Sequence, residues 1–177
     1  RLHFAGSQVL ALQIEQGAKA DCYASANSAH INRLTKAGRL TNQQPLATNR
    51  LVVVVPAGGV RPTQAVDALY RANRLVVGHP GAPIGQYTQS FFEKLEAKMG
   101  STFVDKVRNR VVSREKNVRL VRAKVALGVA DAAVVYATDA MNQATLLSLP
   151  LPPDLQVRSQ YHVAQHVNTS ALGQQWF

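Results

Sequence analysis

A single cysteine, Cys22, in a chain of 177 residues makes an internal disulfide impossible and leaves the redox compartment undecided. Acidic side chains are scarce as well. Ten Asp and Glu stand against 20 Lys and Arg, for a net charge of +10. No apolar run approaches the ~18 residues of a membrane-spanning helix. The longest, Leu51-Val52-Val53-Val54-Val55, has the length of a buried strand. The opening RLHFAGSQVL carries neither an apolar leader segment nor a small-residue cleavage site. The expectation is a cytosolic protein, or one whose leader lies outside this stretch.

Enzyme signatures are missing too. The chain has no P-loop, no G-x-G-x-x-G and no G-x-S-x-G. His3, His30, His79, His162 and His166 include no H-x-x-x-H pair flanking a glutamate. His162 and His166 fall on one face of an expected strand, too far apart to share a metal, and read as surface histidines. Cys22 follows Asp21 with no histidine nearby in sequence, so it reads as a buried structural cysteine. No catalytic residue and no metal ligand is expected, and the chain is read as a non-enzyme.

What is present is a globular composition, 46% apolar. Strand-like runs alternate with helical periods, the pattern of an α/β protein with a largely parallel sheet. Ser7 is read as the cap of a helix over 8–16, followed by a strand over 20–24 and a helix over 27–37. Residues 39–49 form a polar stretch, and Arg50 to Pro56 is the strongest strand. Gly58, Gly59 and Pro62 mark a turn-rich connection. Helices are expected over 63–73, 85–99, 103–110 and from Asn117 to about Leu127. Strands are expected over 74–78, 111–112, 131–136 and 161–164, with a turn or short helix at Thr138-Asp139-Ala140.

Between Lys106 and Lys124, eight basic residues stand against Glu115 alone. Such a run hints at nucleic acid. It has no aromatic residue for base stacking, and apolar residues interrupt it, so a solvated basic face is the preferred reading and no nucleic-acid partner is expected.

One arrangement recurs: a strand, a small polar loop, then a helix start. It occurs at Phe4-Ala5-Gly6-Ser7, at Pro83-Ile84-Gly85 and at Asn117-Val118. The first N–H groups of a helix lack intrahelical partners, and the macrodipole places about half a positive charge there. Such ends hold anions without a charged side chain, and in open α/β sheets they gather at the carboxyl ends of strands. Tyr136, ending the apolar strand AAVVY, either aims its hydroxyl into the same region or stands as a boundary tyrosine with its hydroxyl in water.

Taken together, these segments resemble the molybdate-binding proteins of ABC importers. FAGSQVLALQIEQGAKADCYASA is similar to that family's first anion loop with its helix and strand, and NRLVVVVP to the strand that crosses into the second lobe. RLVVGHPGAPIGQY resembles the second anion loop, and NVRLVRAKVALGVADAAVVYATDA the third with its terminal tyrosine. The matches keep their order from Phe4 to Ala140.

The resemblance implies a two-lobe periplasmic-binding-protein fold of type II, with mixed, mostly parallel sheets and an oxyanion site between the lobes. Residues 1–49 and 160–177 would form lobe I, and 50–159 lobe II. It implies molybdate or tungstate as the ligand, with no cofactor. The donors it implies are the Ser7 hydroxyl and N–H, the Ile84 and Val118 N–H groups and the Tyr136 hydroxyl. All are neutral donors, suited to a fully ionised dianion. The partner would be the membrane permease of the importer, the location periplasmic or extracytoplasmic, and the protein a monomer.

The chain departs from the family in places. The family's first strand, whose end supplies another serine ligand, has no counterpart here, and its closing helix stops short at Trp176-Phe177. The loop at Pro80 to Tyr87 is about one residue short, which places the implied donor at Ile84 or the residue beside it, and His79 stands where acidic residues are common. A sulfate carrier, or the effector domain of a transcription regulator with the same fold, is the alternative reading.

Overall fold

The computed structural model describes residues 1–58 and 62–175, and the chain divides into two compact units. Unit 1 comprises residues 1–48 and 159–177, and unit 2 comprises Asn49–Arg158. Gly59 of the expected turn, and Trp176-Phe177, lie outside the described residues.

Unit 1 contains helices α1 (Ser7–Glu15) and α2 (Ser28–Lys36), strand β1 (Cys22–Ser25), the first half of β2 (Leu40–Pro56), β7 (Arg158–His166) and the short α8 (Ala171–Gln175). Strand β7 lies between β1 and β2, and β1 runs antiparallel to it with Tyr23 opposite Ala164. Ile14, Tyr23, Ile31, Leu34, Leu40 and Ala164 pack into one core. Asp21 caps α8 by accepting the Ser170 N–H at 2.8 Å.

Unit 2 is built from the second half of β2, α3 (Ala65–Arg71), β3 (Leu75–Gly78), α4 (Pro83–Met99), α5 (Ser101–Arg108), β4 (Val111–Glu115), α6 (Val118–Ala126), β5 (Ala132–Tyr136), α7 (Ala137–Ala140) and β6 (Leu146–Pro150). Its strands lie in the order β6-β2-β5-β3-β4. Strand β3 is parallel to both β4 and β5, whereas β2 is antiparallel to β5 and β6. Parallel neighbours need a helical crossover. Helices α4 and α5 supply one between β3 and β4, and α6 supplies one between β4 and β5. Strands β3 and β5 are buried at every position, and so read as continuous apolar runs rather than alternating ones.

Helix α4 buries Ile84, Thr88, Phe91, Phe92 and Leu95, the stripe of a helix that packs one face on a sheet. Gly100 ends it at φ +85°, a left-handed conformation that favours glycine.

Three expectations need correction. Residues 41–49, read only as a polar stretch ahead of the strand at Arg50, form the exposed half of a 17-residue β2. Backbone pairing holds that half without side-chain burial, so its sequence carries no alternation. Strand β6 was not expected at all. Among the described residues it pairs with β2 alone, and its terminal Pro150 suits an edge strand. Ser7 is the first helical residue of α1 rather than its cap, which is Gly6.

Candidate functional site

In unit 2 the parallel register brings three strand ends to one edge of the sheet. Gly78 at the end of β3 stands opposite Glu115 at the end of β4, and the His79 N–H donates to the Glu115 carbonyl at 2.8 Å. β5 pairs with β3 in the same direction, Leu75 opposite Ala132, and so ends at this edge with Tyr136. Each strand end leads into a helix start, which collects α4, α6 and α7 where ligands of open α/β sheets bind.

The start of α4 presents Ile84. Pro83 at the first position has no N–H to offer. The Gly85 and Gln86 N–H groups both turn back to the Ala82 carbonyl, at 2.9 and 3.2 Å. The Ile84 N–H is thus the first donor that the helix cannot satisfy internally. Its side chain is 2% exposed, and Thr88 Oγ1 donates to the Ile84 carbonyl at 2.7 Å. Behind it, the chain leaves β3 so closely that a Cβ on Gly85 would meet the His79 carbonyl oxygen at 2.0 Å. His79 is exposed, and its Nδ1 accepts the Gly81 N–H at 3.1 Å, closing the loop into α4.

Asn117 caps α6, its Oδ1 accepting the Leu120 N–H at 3.0 Å. Val121 N–H returns to the Asn117 carbonyl at 3.2 Å. That leaves Val118 N–H in the first turn with no intrahelical acceptor.

Tyr136 is 3% exposed and its hydroxyl oxygen is buried, which excludes the boundary reading with the hydroxyl in water. Its ring meets that of Tyr87, from the second turn of α4, edge to face with centroids 6.3 Å apart. Leu51 of β2 stands opposite it in the ladder.

Ser7 lies in unit 1, at the start of α1. Its Oγ accepts the Ala26 N–H at 3.2 Å, which leaves the hydroxyl hydrogen to be donated elsewhere. The Tyr23 hydroxyl donates to the Ser7 carbonyl at 2.7 Å. Burial pushes the Tyr23 hydroxyl up to about 12, so it remains a donor throughout the physiological range. Tyr23 carries no sequence signal, and Tyr87 stands out only for its helical spacing with Phe91, Phe92 and Leu95, because the role of each here comes from a tertiary contact.

Cys22 is half-buried rather than buried, and burial followed by the Asp21 charge pushes its thiol upward. His162 and His166 both lie in β7. No cluster of three or more metal-ligating side chains occurs among the described residues.

At least four residues of the basic run are engaged locally rather than simply solvated. Arg108 pairs with Glu96 at 3.0 Å, and Lys124 with Glu115 at 2.6 Å. Lys124, with Ser113 adding a hydrogen bond, holds the Glu115 carboxyl below its ordinary range. Arg110 donates to the Tyr70 and Ala72 carbonyls and lies over the Tyr70 ring. Arg122 Nη1 reaches the Asp139 carbonyl at 3.3 Å.

Burial pushes the Asp139 carboxyl above its ordinary value, against the pull of Arg122 and Arg119. A carboxyl with a raised folded pKa favours the fold at low pH and loses that contribution as pH rises through it. Ionising Asp139 within the fold is therefore a cost that grows as pH rises. Asp139→Asn should stabilise the chain at pH 7 by less than ~1 kcal/mol, since water screens a half-exposed group. The gain should shrink as pH falls and vanish below about pH 3, where an unfolded aspartate is also protonated. Thermal melts of both proteins across that range test this, and a destabilised variant at pH 7 refutes it.

Among the described residues no helix is long and apolar enough to cross a membrane. A molybdate-binding protein of Mycobacterium bovis is 35% identical over 178 residues, covering 98% of this chain and 64% of the relative. The chain thus spans just under two thirds of that relative's length. Among solved structures, the periplasmic molybdate-binding protein of Azotobacter vinelandii superposes with a TM-score of 0.79 at 18% identity. That match covers 97% of this chain and 76% of the other. The sulfate-binding protein SubI of Mycobacterium tuberculosis gives a TM-score of 0.75 at 18% identity, covering 95% and 65%. These likenesses establish the periplasmic-binding-protein fold. Residues 1–174 match the family described as bacterial extracellular solute-binding protein, and the chain belongs to that family.

Proposed function

We propose that this protein captures molybdate, and equally tungstate, outside the cytoplasm for the permease of an ABC importer, without catalysing a reaction. The donors are the Ser7 hydroxyl and N–H in unit 1, and the Ile84 and Val118 N–H groups and Tyr136 hydroxyl in unit 2. The observation that carries the reading is the common edge of unit 2, where two capped or proline-led helix starts and a buried tyrosine end parallel strands. All five groups are uncharged donors, so the matching ligand is an anion with no proton of its own. The 35% identity to a molybdate-binding protein, held over nearly the whole chain, supports molybdate as that anion.

The energetics are sufficient. A hydrogen bond to a charged group is worth roughly 1.5–3 kcal/mol net of dehydration, so five give about 8–15 kcal/mol, enough for the ~8 kcal/mol of a micromolar complex. Titration calorimetry of the whole protein with molybdate should give binding at micromolar concentration or tighter. No heat and no thermal shift with molybdate, tungstate or sulfate refutes the reading. Ser7→Ala and Tyr136→Phe each remove one charge-assisted hydrogen bond and should each weaken molybdate binding by roughly tenfold or more. Cys22→Ser should leave the affinity unchanged. Parental affinity in both donor variants would show that these side chains do not touch the anion.

A further inference from the structure

The chain enters unit 2 at Asn49 and leaves it at Arg158, and a carboxamide fastens the backbone at each point. Near the exit, Gln156 Oε1 accepts the Leu51 N–H at 3.0 Å, and Gln156 Nε2 donates to the Leu51 carbonyl at 3.2 Å. This side chain grips Leu51 as a neighbouring strand would, just beyond the last β6 pair, Val52 with Pro150. It fixes the register in which Leu51 faces Tyr136.

At the entry, Asn49 sits two residues before Leu51, as Thr138 sits two residues after Tyr136. The backbone ladder between β2 and β5 ends at the Leu51–Tyr136 pair, because the chain turns into α7 at Ala137. Asn49 continues the ladder with its side chain: Nδ2 donates to Thr138 Oγ1 at 2.8 Å, and Oδ1 accepts the Arg50 N–H at 2.9 Å. Tyr136 itself is the extended residue before α7, at φ −76° and ψ 148°, with no side-chain cap bond at that helix start. A small backbone rotation at this corner would swing the far end of the ring, where the hydroxyl lies. Tyr87 restrains the ring from the α4 side, and Asn49 restrains the corner itself through Thr138.

We infer that Asn49 is a positioning residue for oxyanion binding: its carboxamide bond to Thr138 sets the strand-to-helix corner that aims the Tyr136 hydroxyl. The inference rests on the reading of Tyr136 as an oxyanion donor.

A double-mutant cycle separates this role from a merely structural one. Molybdate affinity is measured calorimetrically on the whole protein for the parent, Asn49→Ala, Tyr136→Phe and the double variant. Loss of one neutral hydrogen bond corresponds to roughly three- to tenfold. Asn49→Ala should weaken binding by that factor when Tyr136 is present and by nothing further in the Tyr136→Phe background. Thr138→Val should reproduce the loss, and Thr138→Ser, which keeps the hydroxyl, should bind like the parent. Additive losses from Asn49→Ala and Tyr136→Phe, or parental affinity in both Asn49→Ala and Thr138→Val, overturn the inference while the donor role of Tyr136 stands. Parental affinity in Tyr136→Phe overturns both at once and is visible before the cycle is completed.

Discussion

Gly85→Ala should destabilise unit 2 by at least about 3 kcal/mol and abolish micromolar oxyanion binding. Helix propensity predicts the opposite sign: an alanine inside a helix is favoured over glycine by up to ~1 kcal/mol. Packing decides against it. The added Cβ would lie 2.0 Å from the His79 carbonyl oxygen, 2.6 Å from its carbon and 2.7 Å from the Gly78 carbonyl oxygen. All three are backbone atoms at the end of β3, so no side chain can rotate away. The same contact seen from the strand is as tight, since a Cβ on Gly78 would meet the Gly85 nitrogen at 2.5 Å.

Relief requires the strand end and the first turn of α4 to separate, and that turn carries the Ile84 N–H. Stability and binding should therefore fail together. A natural fold stable by about 5–15 kcal/mol survives such a loss only in part. Gly58→Ala is the control, because nothing lies within 4 Å of its Cβ position. Urea denaturation should give a clearly lowered midpoint for Gly85→Ala and an unchanged one for Gly58→Ala. A parental midpoint for Gly85→Ala would mean that α4 does not sit this close to β3.

The β3–α4 junction also shows what a sequence can and cannot reveal about such a fold. The strands buried on both faces, Leu51 to Val55, Leu75 to Gly78 and Ala132 to Tyr136, are legible because burial writes them as unbroken apolar runs. Helix α4 is legible from its stripe, and the start of α6 from the cap residue Asn117. The polar half of β2 is not legible, because its stability comes from backbone pairing that places no demand on side chains. The glycine pair is visible as Gly78 and Gly85, but only coordinates show that the two face each other.

The same holds for the groups that support the candidate donors. Tyr23 reaches Ser7 across 16 residues of sequence, and Asn49 reaches Thr138 across 89. Neither pair has a local signature. Ser7 illustrates a different failure. Serine before a helix reads as a cap, yet Gly6 fills that role and the Ser7 Oγ turns to the Ala26 N–H instead. Local propensity placed the residue correctly and assigned it the wrong partner.

Sulfate and phosphate should bind at least about a hundredfold more weakly than molybdate, and tungstate about as tightly, if the proposed donor set is correct. Molybdate, tungstate and sulfate are all tetrahedral dianions at neutral pH, so neither charge nor protonation separates them. Only size remains. Molybdate and tungstate have nearly equal metal–oxygen bonds, and those of sulfate are distinctly shorter.

A soft site would close around the smaller ion, but the donors in unit 2 are not free to follow. Ile84 is fixed by the backbone contact between Gly85 and His79, and Val118 lies in the first turn fastened by the Asn117 cap. The Tyr136 backbone is paired with Leu51 in the β2–β5 ladder, and its ring rests against Tyr87. Sulfate would leave several of these hydrogen bonds stretched, and a total loss of ~3 kcal/mol already exceeds a hundredfold. Hydrogen phosphate fails for a second reason. Its proton needs an acceptor, and the N–H groups offer none. Only the two hydroxyl oxygens could accept, and the Ser7 Oγ already takes the Ala26 N–H, so that proton goes poorly matched at a cost of about 1–3 kcal/mol. Competition titrations against bound molybdate measure both ratios. Displacement by sulfate at similar concentration would move the protein to the sulfate carriers, whose fold it shares. Displacement by phosphate would instead place an acceptor among the groups that touch the anion.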